Sequence, residues 1–411
     1  MPNVMIKERL LVVGNGMASV RFVEELLAAC PERYSIIIVG AEARVAYNRV
    51  LLSALLAGDV DHVGIELKPA AWYARHGVTL ITGRTVAAID CAARVATLDD
   101  GAALGFDALV FATGSSPIRL PQPGMDLPGV MAFRDLEDVA VMQAAAGKRA
   151  TVIGGGLLGI EAAYGLVRAG AKVTLVHIMD RLMERQLDPA GARLVKAALE
   201  KKGVEVLLGA QTAAVRGDGR VARIAFADGG ERETDLVVVA IGVRANAALA
   251  KAAGVATARG ILVDDQMRTD VAGVYAIGEC AEHRGTVYGL VEPAYAQASA
   301  LAAHLAGVTD AAYAGTVLAT NLKVSGVPVF SAGDFAGEQA ETLVLEDRAG
   351  GLYRKLCIRD DRLVGCVLVG EADDASFYRD LIRSGASVAR LRPSLLHGPD
   401  FTLPDRAAEA A

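Results

Sequence analysis

The feature that most constrains this chain is a glycine pattern that occurs twice, 140 residues apart, each time between an apolar run and a helix-like segment. The first copy is Gly14-x-Gly16-x-x-Ser19, in the stretch LLVVGNGMAS over residues 10–19. Val20, Val23, Leu26 and Leu27 follow at helical spacing, with Arg21, Glu24 and Glu25 on the opposite face. The second copy is Gly154-x-Gly156-x-x-Gly159, after the apolar run 150–153 and before an Ala-rich helix over 160–169. A buried parallel strand that feeds a helix through glycines is the opening half of a dinucleotide-binding βαβ unit. The first glycine permits the tight turn, and the second lets backbone approach a pyrophosphate. The helix N-terminus adds free N–H groups and a positive dipole end. Ser19 stands where a third glycine is usual, and is small enough for close helix–strand packing. One such loop also closes βα units that bind nothing. Two complete ones in a single chain point to traffic between two nucleotide cofactors.

Length and composition bound the remainder. At 411 residues the chain has room for two or three domains, and 53% apolar content supplies their cores. A net charge of −6 without a basic block argues against nucleic acid as a partner. No apolar run approaches the ~18 residues of a membrane span, and no secretory signal precedes residue 10, so the expected setting is cytoplasmic, with no membrane association. The five cysteines, Cys30, Cys91, Cys280, Cys357 and Cys366, form no CxxC pair, so zinc, iron–sulfur and redox-disulfide motifs are missing and no metal site is expected. Cys357 and Cys366 read as cross-strand neighbours, or simply as two small buried hydrophobes.

After the first helix, residues 35–39 read as the second parallel strand. A ribose-binding acid is expected near such a strand end, and Glu42 is the nearest candidate, with a solvated loop carboxylate as the equal alternative. Arg49 can hold a phosphate or flavin edge, or lie on the surface. Trp72 is read as a packing residue. Short strands follow up to Pro117, the last ending in Ala112, Thr113 and Gly114, whose small side chains suit a backbone that runs beside a flat ligand. Pro121, Pro123 and Pro128 mark a linker into the second unit, whose second strand ends at His177. A carboxylate there would select NAD, and a cationic cluster would favour NADP. His177 with Arg181 does neither cleanly, and the histidine reads equally as an ordinary strand-end residue, which leaves the cofactor choice open. A neutral imidazole accepts a hydrogen bond from a ribose hydroxyl without repelling a phosphate, so the expectation is NADH with modest discrimination. Residues 236–243 and 274–281 read as further buried strands with glycine ends, Gly242 and Gly278. Glu279 then stands at a sheet edge where ligands bind, or caps a following helix. From about residue 317 the chain changes to alternating strands and hairpins with a helix over 376–384, and the tail PDFTLPDRAAEAA is expected to fray.

The two fingerprints, VYAIGECA, and the stretches AYNRVLLS, GGGLLGIEAA, VHIMDRLMERQLD, VYGLVEPAYAQA, LKVSGVPVFSAGD and YRKLCIRDDRLVGCVLVG carry a resemblance over residues 10–370. The chain resembles the FAD-dependent pyridine-nucleotide oxidoreductases. Within them it is similar to the flavin part of NAD(P)H assimilatory nitrite reductases and to the electron-transfer subunit of assimilatory nitrate reductases. The implied fold class is α/β, with two three-layer, Rossmann-like dinucleotide-binding domains plus a C-terminal α+β domain. Residues 1–118 and 242–316 would form the FAD domain, 119–241 the NAD(P) domain and 317–411 the appendage.

By the same resemblance, Gly14, Gly16, Met17, Ala18 and Ser19 cradle the FAD pyrophosphate and Glu42 approaches its ribose. Arg49, Thr113 and Gly114 border the flavin side, and Val86 and Gly242 count among the cofactor-binding residues. Gly278 and Glu279 meet the ribityl chain, and the segment with Pro293 and Ala294 closes over the ring. Gly154, Gly156, Leu158 and Gly159 take the NAD(P)H pyrophosphate, His177 stands at its ribose, and Glu161 lies towards the nicotinamide. Glu161 and Arg49 are thus the side chains nearest the chemistry, although hydride transfer needs neither acid nor base.

Related ferredoxin- and rubredoxin-reductase-type chains place Lys after the Leu-Ser of AYNRVLLS. Here Ala54 stands there, which leaves the partner of Glu161 open. The long nitrite reductases continue into iron–sulfur and sirohaem modules that these 411 residues lack, so this chain is not expected to reduce nitrite alone. The expected acceptor is a partner redox protein, namely nitrate or nitrite reductase or an iron–sulfur carrier, and the C-terminal domain can serve that docking or a homodimer. Rival readings are a rubredoxin/ferredoxin-reductase-type or NADH oxidase-like flavoenzyme, a peroxide- or disulfide-reducing enzyme, which would need a reactive cysteine, and a nucleotide-binding redox regulator.

Overall fold

The computed structural model describes residues 7–317, 319–322 and 326–402. The last nine residues of the expected fraying tail lie outside the described residues, as do parts of the strand-like stretch that follows residue 317. The chain divides into two compact units. One comprises Met1–Leu51, Val60–Pro117 and Gly242–Thr316, the other Leu52–Asp59, Ile118–Ile241 and Val317–Ala411.

The first unit is built on a five-stranded parallel sheet in the order Val274–Ala276, Ala108–Phe111, Glu8–Val13, Tyr34–Gly40, Thr79–Thr82. The inner stretches 10–13, 36–39 and 108–111 are unbroken apolar runs because both faces are covered. Alternation along the strands sends Leu10, Val12, Ile36, Ile38 and Val110 to one face, where they meet Val20, Phe22, Val23 and Leu26 of the helix Met17–Ala29 and Leu301 and Leu305 of the helix Val291–Leu305. Leu11, Val13, Val39, Leu109 and Phe111 point to the other face, against Val86, Ile89, Ala96 and Leu98 of a three-stranded antiparallel sheet. Three layers result.

The second unit repeats this plan. Its parallel sheet runs Val204–Leu207, Lys172–Val176, Arg149–Ile153, Leu236–Val239, Val130–Ala132, with a three-stranded antiparallel sheet behind it. The helix Leu52–Ala57 belongs to this unit, because Gly165 of the helix Leu157–Arg168 offers no side chain and Leu56 packs into the gap. A five-stranded antiparallel sheet, Ala319–Leu322, Val329–Gly333, Arg362–Val369, Leu352–Arg359, Glu341–Asp347, carries the helix Ala375–Ser384 on one face through the buried Tyr378. Asp188, the N-cap of the helix Pro189–Lys201, accepts hydrogen bonds from Gly191 N (3.0 Å) and Tyr353 Oη (2.6 Å), with Lys355 Nζ at 3.5 Å.

Two expected strands are shorter than their apolar runs. Residues 274–281 do not form one strand. The strand stops at Ala276, a 3₁₀ turn spans Gly278–Cys280, and a second strand Ala281–His283 leaves in a different sheet. Gly278 sets the break with φ +80°, donating its N–H to the buried Gln297 Oε1 (2.8 Å). Likewise Leu236–Val239 ends early, and beyond Gly242 (φ +114°) the segment Val243–Ala245 pairs antiparallel with Ser115–Pro117. All five cysteines carry free thiols; Cys366 stands opposite Leu356 and Cys357 opposite Gly365.

Candidate functional site

The two fingerprints fold into two loops with the same construction, one in each unit. In the first, Gly14 has φ +113°, and a Cβ on it would stand 2.2 Å from the Ala112 carbonyl oxygen, so only glycine fits. Gly16 is the N-cap of the helix Met17–Ala29, and a Cβ there would meet nothing within 4 Å. The loop is therefore closed on its sheet side and open beyond Gly16, where the first-turn amides of Met17 and Ala18 point and no acidic side chain offsets the helix dipole. Ser19 is fully buried and donates its Oγ–H to the Gly14 carbonyl at 2.5 Å, so the hydroxyl fastens the turn that a third glycine would close by contact.

Several predicted residues gather at this edge of the first sheet. A Cβ on Gly278 would stand 3.1 Å from Ala18 Cβ, so the 3₁₀ turn abuts the helix start. Glu279 accepts from Ser115 Oγ at 2.6 Å; it caps no helix, since a strand follows its turn. Thr113 donates to the Asn246 carbonyl (2.7 Å), Asn246 Nδ2 donates to the Thr113 carbonyl (2.9 Å), and Asn246 N donates to the Gly114 carbonyl (2.9 Å). Asn15 donates to the Arg44 carbonyl, which brings the 42–49 loop beside the glycines. There Glu42 accepts from Tyr47 Oη (2.8 Å) and is paired with Arg49, which also donates to Tyr47 Oη (2.9 Å). A carboxylate has lone pairs to spare for a ribose hydroxyl beyond those two partners. Pro293 and Ala294 are buried in the first turn of Val291–Leu305, the helix that also carries Gln297. Val86 is a core residue, buried opposite Leu98 in the antiparallel sheet. Trp72 packs edge-on against Tyr73, at the margin of the core, as a packing residue.

In the second loop Gly154 has φ +122° and would clash at 2.2 Å with the Ala240 carbonyl, and Gly159 would clash at 1.8 Å with the Gly154 carbonyl. Gly156, the N-cap of the helix Leu157–Arg168, again faces open space, and Leu158 lies exposed beside it. Both loops thus leave room for an anionic bridge at the position where a side chain would stand. That is the fit a dinucleotide pyrophosphate requires.

Two findings differ from the sequence reading. His177 is buried and both of its ring nitrogens are engaged. Gly155 N donates to Nδ1 (3.0 Å), so the ring proton sits on Nε2, which faces Glu184 Oε2 at 3.0 Å. The imidazole therefore does not stand free as an acceptor for a ribose hydroxyl. Glu184 is the group that sequence reasoning missed, and a histidine seven residues before a glutamate carries no signal of contact. Second, Glu161 has a partner in place of the missing lysine. It is buried in the helix Leu157–Arg168 and accepts a hydrogen bond from Ser53, the residue before Ala54. Among the described residues no basic side chain pairs with it. Burial pushes its carboxyl up to about 7, and the Ser53 hydroxyl opposes only part of that rise.

Among the described residues no three His, Cys, Asp or Glu side chains cluster as metal ligands, and no helix is long and apolar enough to cross a membrane. Burial pushes the thiols of Cys280, Cys357 and Cys366 upward, away from the thiolate.

Residues 8–298 match the pyridine nucleotide-disulphide oxidoreductase family, and residues 319–386 match the rubredoxin NAD+ reductase C-terminal domain. The chain is 45% identical over 94% of its length to a nitrite reductase [NAD(P)H] of Bacillus subtilis, covering 48% of that protein. It is 43% identical over 97% of its length to the assimilatory nitrate reductase electron transfer subunit of Bacillus subtilis, covering 52% of it. The chain thus spans about half the length of these relatives. A putidaredoxin reductase, solved in covalent complex with putidaredoxin, superposes with a TM-score of 0.86 at 26% identity, over 96% of both chains. By sequence and by fold, this protein belongs to the pyridine nucleotide-disulphide oxidoreductase family.

Proposed function

We propose that the chain takes electrons from NAD(P)H onto FAD and passes them to a separate redox protein, an assimilatory nitrate or nitrite reductase or its iron–sulfur carrier. The observation that carries this reading is the pair of loops, each open beyond its second glycine, in a chain without a cysteine pair. The domain boundaries drawn from the sequence serve as the working division, with the first loop holding FAD and the second NAD(P)H. Bound FAD supplies acceptance of a hydride and its release as electrons.

The side chains do the positioning. Gly14, Gly16, Met17, Ala18 and Ser19 present backbone donors to the FAD pyrophosphate, and Glu42, steadied by Arg49 and Tyr47, accepts from its ribose. Glu279, oriented by Ser115, accepts from the ribityl hydroxyls. Thr113 and Gly114, fastened to Asn246, give the flat ring a rigid wall, with Gly242 beside them and Pro293 and Ala294 on the helix that closes over it. Gly154, Gly156 and Gly159 perform the pyrophosphate task for NAD(P)H, with Glu161 lying towards the nicotinamide. Burial raises the thiols of Cys280, Cys357 and Cys366 away from the reactive thiolate, and FAD held at the first loop would supply the electrons to the partner.

A redox partner is supported by the electron-transfer relative and by the reductase solved with its carrier protein. Five free thiols fit a reducing, cytoplasmic setting. The test is direct. Purified protein should carry one FAD per chain, bleach anaerobically with NAD(P)H, and support nitrate or nitrite reduction when the purified reductase is added. Rapid dye reduction with neither reductase supported, even with a ferredoxin-like carrier present, removes the assigned partner. A colourless protein that NAD(P)H does not reduce removes the flavoenzyme reading.

A further inference from the structure

Beyond the glycine loop, the end of the strand Lys172–Val176 is where a dinucleotide fold reads the adenosine ribose, and a carboxylate there decides between a 2′-hydroxyl and a 2′-phosphate. In this chain that place is filled in two steps. The strand runs straight into His177, whose ring lies so close under Gly155 that a Cβ on Gly155 would stand 2.6 Å from His177 Cγ. Gly155 is gripped on both sides, its N–H by His177 Nδ1 (3.0 Å) and its carbonyl by Met183 N (2.9 Å). Met183, fully buried, adopts φ +51°, a conformation a non-glycine residue holds only under tertiary constraint. That turn returns the chain to the loop and sets the next residue, Glu184, on the far nitrogen of the histidine (3.0 Å).

Four charged side chains occupy this short segment, and only one of them is anchored to a buried group. Arg181 pairs with its neighbour Asp180, whose side chain is 78% exposed, and Arg185 is 86% exposed with its Nε 3.9 Å from Glu184 Oε1. Glu184 is 23% exposed and fixed through Oε2, which leaves Oε1 to accept a further hydrogen bond. A negative charge held in one position is the element that can both accept from a ribose hydroxyl and repel a phosphate.

We propose that Glu184, positioned by His177, is the residue that selects NADH over NADPH. The inference rests on the reading that the 154–159 loop holds the nicotinamide dinucleotide. Glu184→Gln keeps the size and one acceptor while removing the charge, and Glu184→Asp keeps the charge.

The experiment is calorimetric titration of the FAD-loaded protein with NAD+ and with NADP+, which bind without turnover, alongside melting temperatures. The native protein should bind NAD+ more tightly. In Glu184→Gln the ratio of the two dissociation constants should fall about tenfold, the equivalent of ~1.4 kcal/mol of lost repulsion, and Glu184→Asp should retain most of it. A merely structural Glu184 would lower the melting temperature and weaken both ligands equally, and an unchanged ratio overturns the proposal. If the native protein binds neither dinucleotide, the assignment of the loop itself fails, and this is distinguishable from a binding protein whose preference ignores residue 184.

Discussion

Replacing Glu161 by Gln removes a buried carboxyl whose ionisation the fold resists. The carboxyl is pushed from an ordinary 4.5 to about 7 by burial, with only the Ser53 hydroxyl favouring the charged form. The folded state therefore holds its proton more tightly than the unfolded chain does. Below pH 4.5 both states are protonated and Glu161 contributes nothing to pH dependence. Between 4.5 and about 7 the unfolded chain ionises while the folded one does not, so stability falls as pH rises, and above about 7 the loss levels off. At 1.36 kcal/mol per pKa unit the full penalty is about 3 kcal/mol. For a unit of this size each kcal/mol moves the melting temperature by about 2–4 °C.

The assay is calorimetry of FAD-loaded wild type and Glu161→Gln from pH 4.5 to 8, without nicotinamide nucleotide. The two proteins should melt within a few degrees of each other at pH 4.5. The Gln variant should melt about 6–12 °C higher at pH 8. Ser53→Ala, which removes the one group that favours the carboxylate, should deepen the loss at pH 8 and leave pH 4.5 nearly unchanged. Curves for wild type and Glu161→Gln that stay parallel across the whole range would refute the reasoning, because Glu161 would then ionise as freely folded as unfolded.

Gly156→Val should fold normally, since the residue is extended (φ −81°, ψ −175°) with open space ahead of it, yet lose reduction by NAD(P)H and keep its yellow colour. Loss of flavin from this variant would show that the two loops do not hold separate nucleotides. Gly14→Ala should fail to retain FAD, because its Cβ would stand 2.2 Å from the Ala112 carbonyl, and an FAD content equal to wild type would count against the loop's role. Asp188→Ala removes a helix cap together with the partner of Tyr353 and Lys355. It should cost about 2–4 kcal/mol in denaturant unfolding, while the anaerobic spectrum of the flavin stays unchanged.

The architecture was legible in the sequence because its cause is local. Two runs of apolar residues buried on both faces, each closed by glycines and followed by a helix at 3.6 spacing, admit few folds besides a twice-repeated dinucleotide unit. The tight packing at glycines 14, 154 and 159 follows from steric demands on φ and Cβ that belong to the residue type, while glycines 16 and 156 face open space. What the tertiary structure decided is which side chains meet across distance. That residues 274–281 break into a strand, a 3₁₀ turn and a second strand depends on Gln297, which takes the Gly278 amide from a helix nineteen residues on. The partner of Glu161 is Ser53, more than a hundred residues earlier, because Gly165 lets the helix Leu52–Ala57 pack against the helix Leu157–Arg168. His177 reads in sequence as an acceptor for a ribose hydroxyl. In the fold its ring is consumed by Gly155, and it holds Glu184 at the strand end. Periodicity and steric fit are properties of a segment, whereas a hydrogen bond between a strand end and a returning turn exists only once the chain has closed on itself.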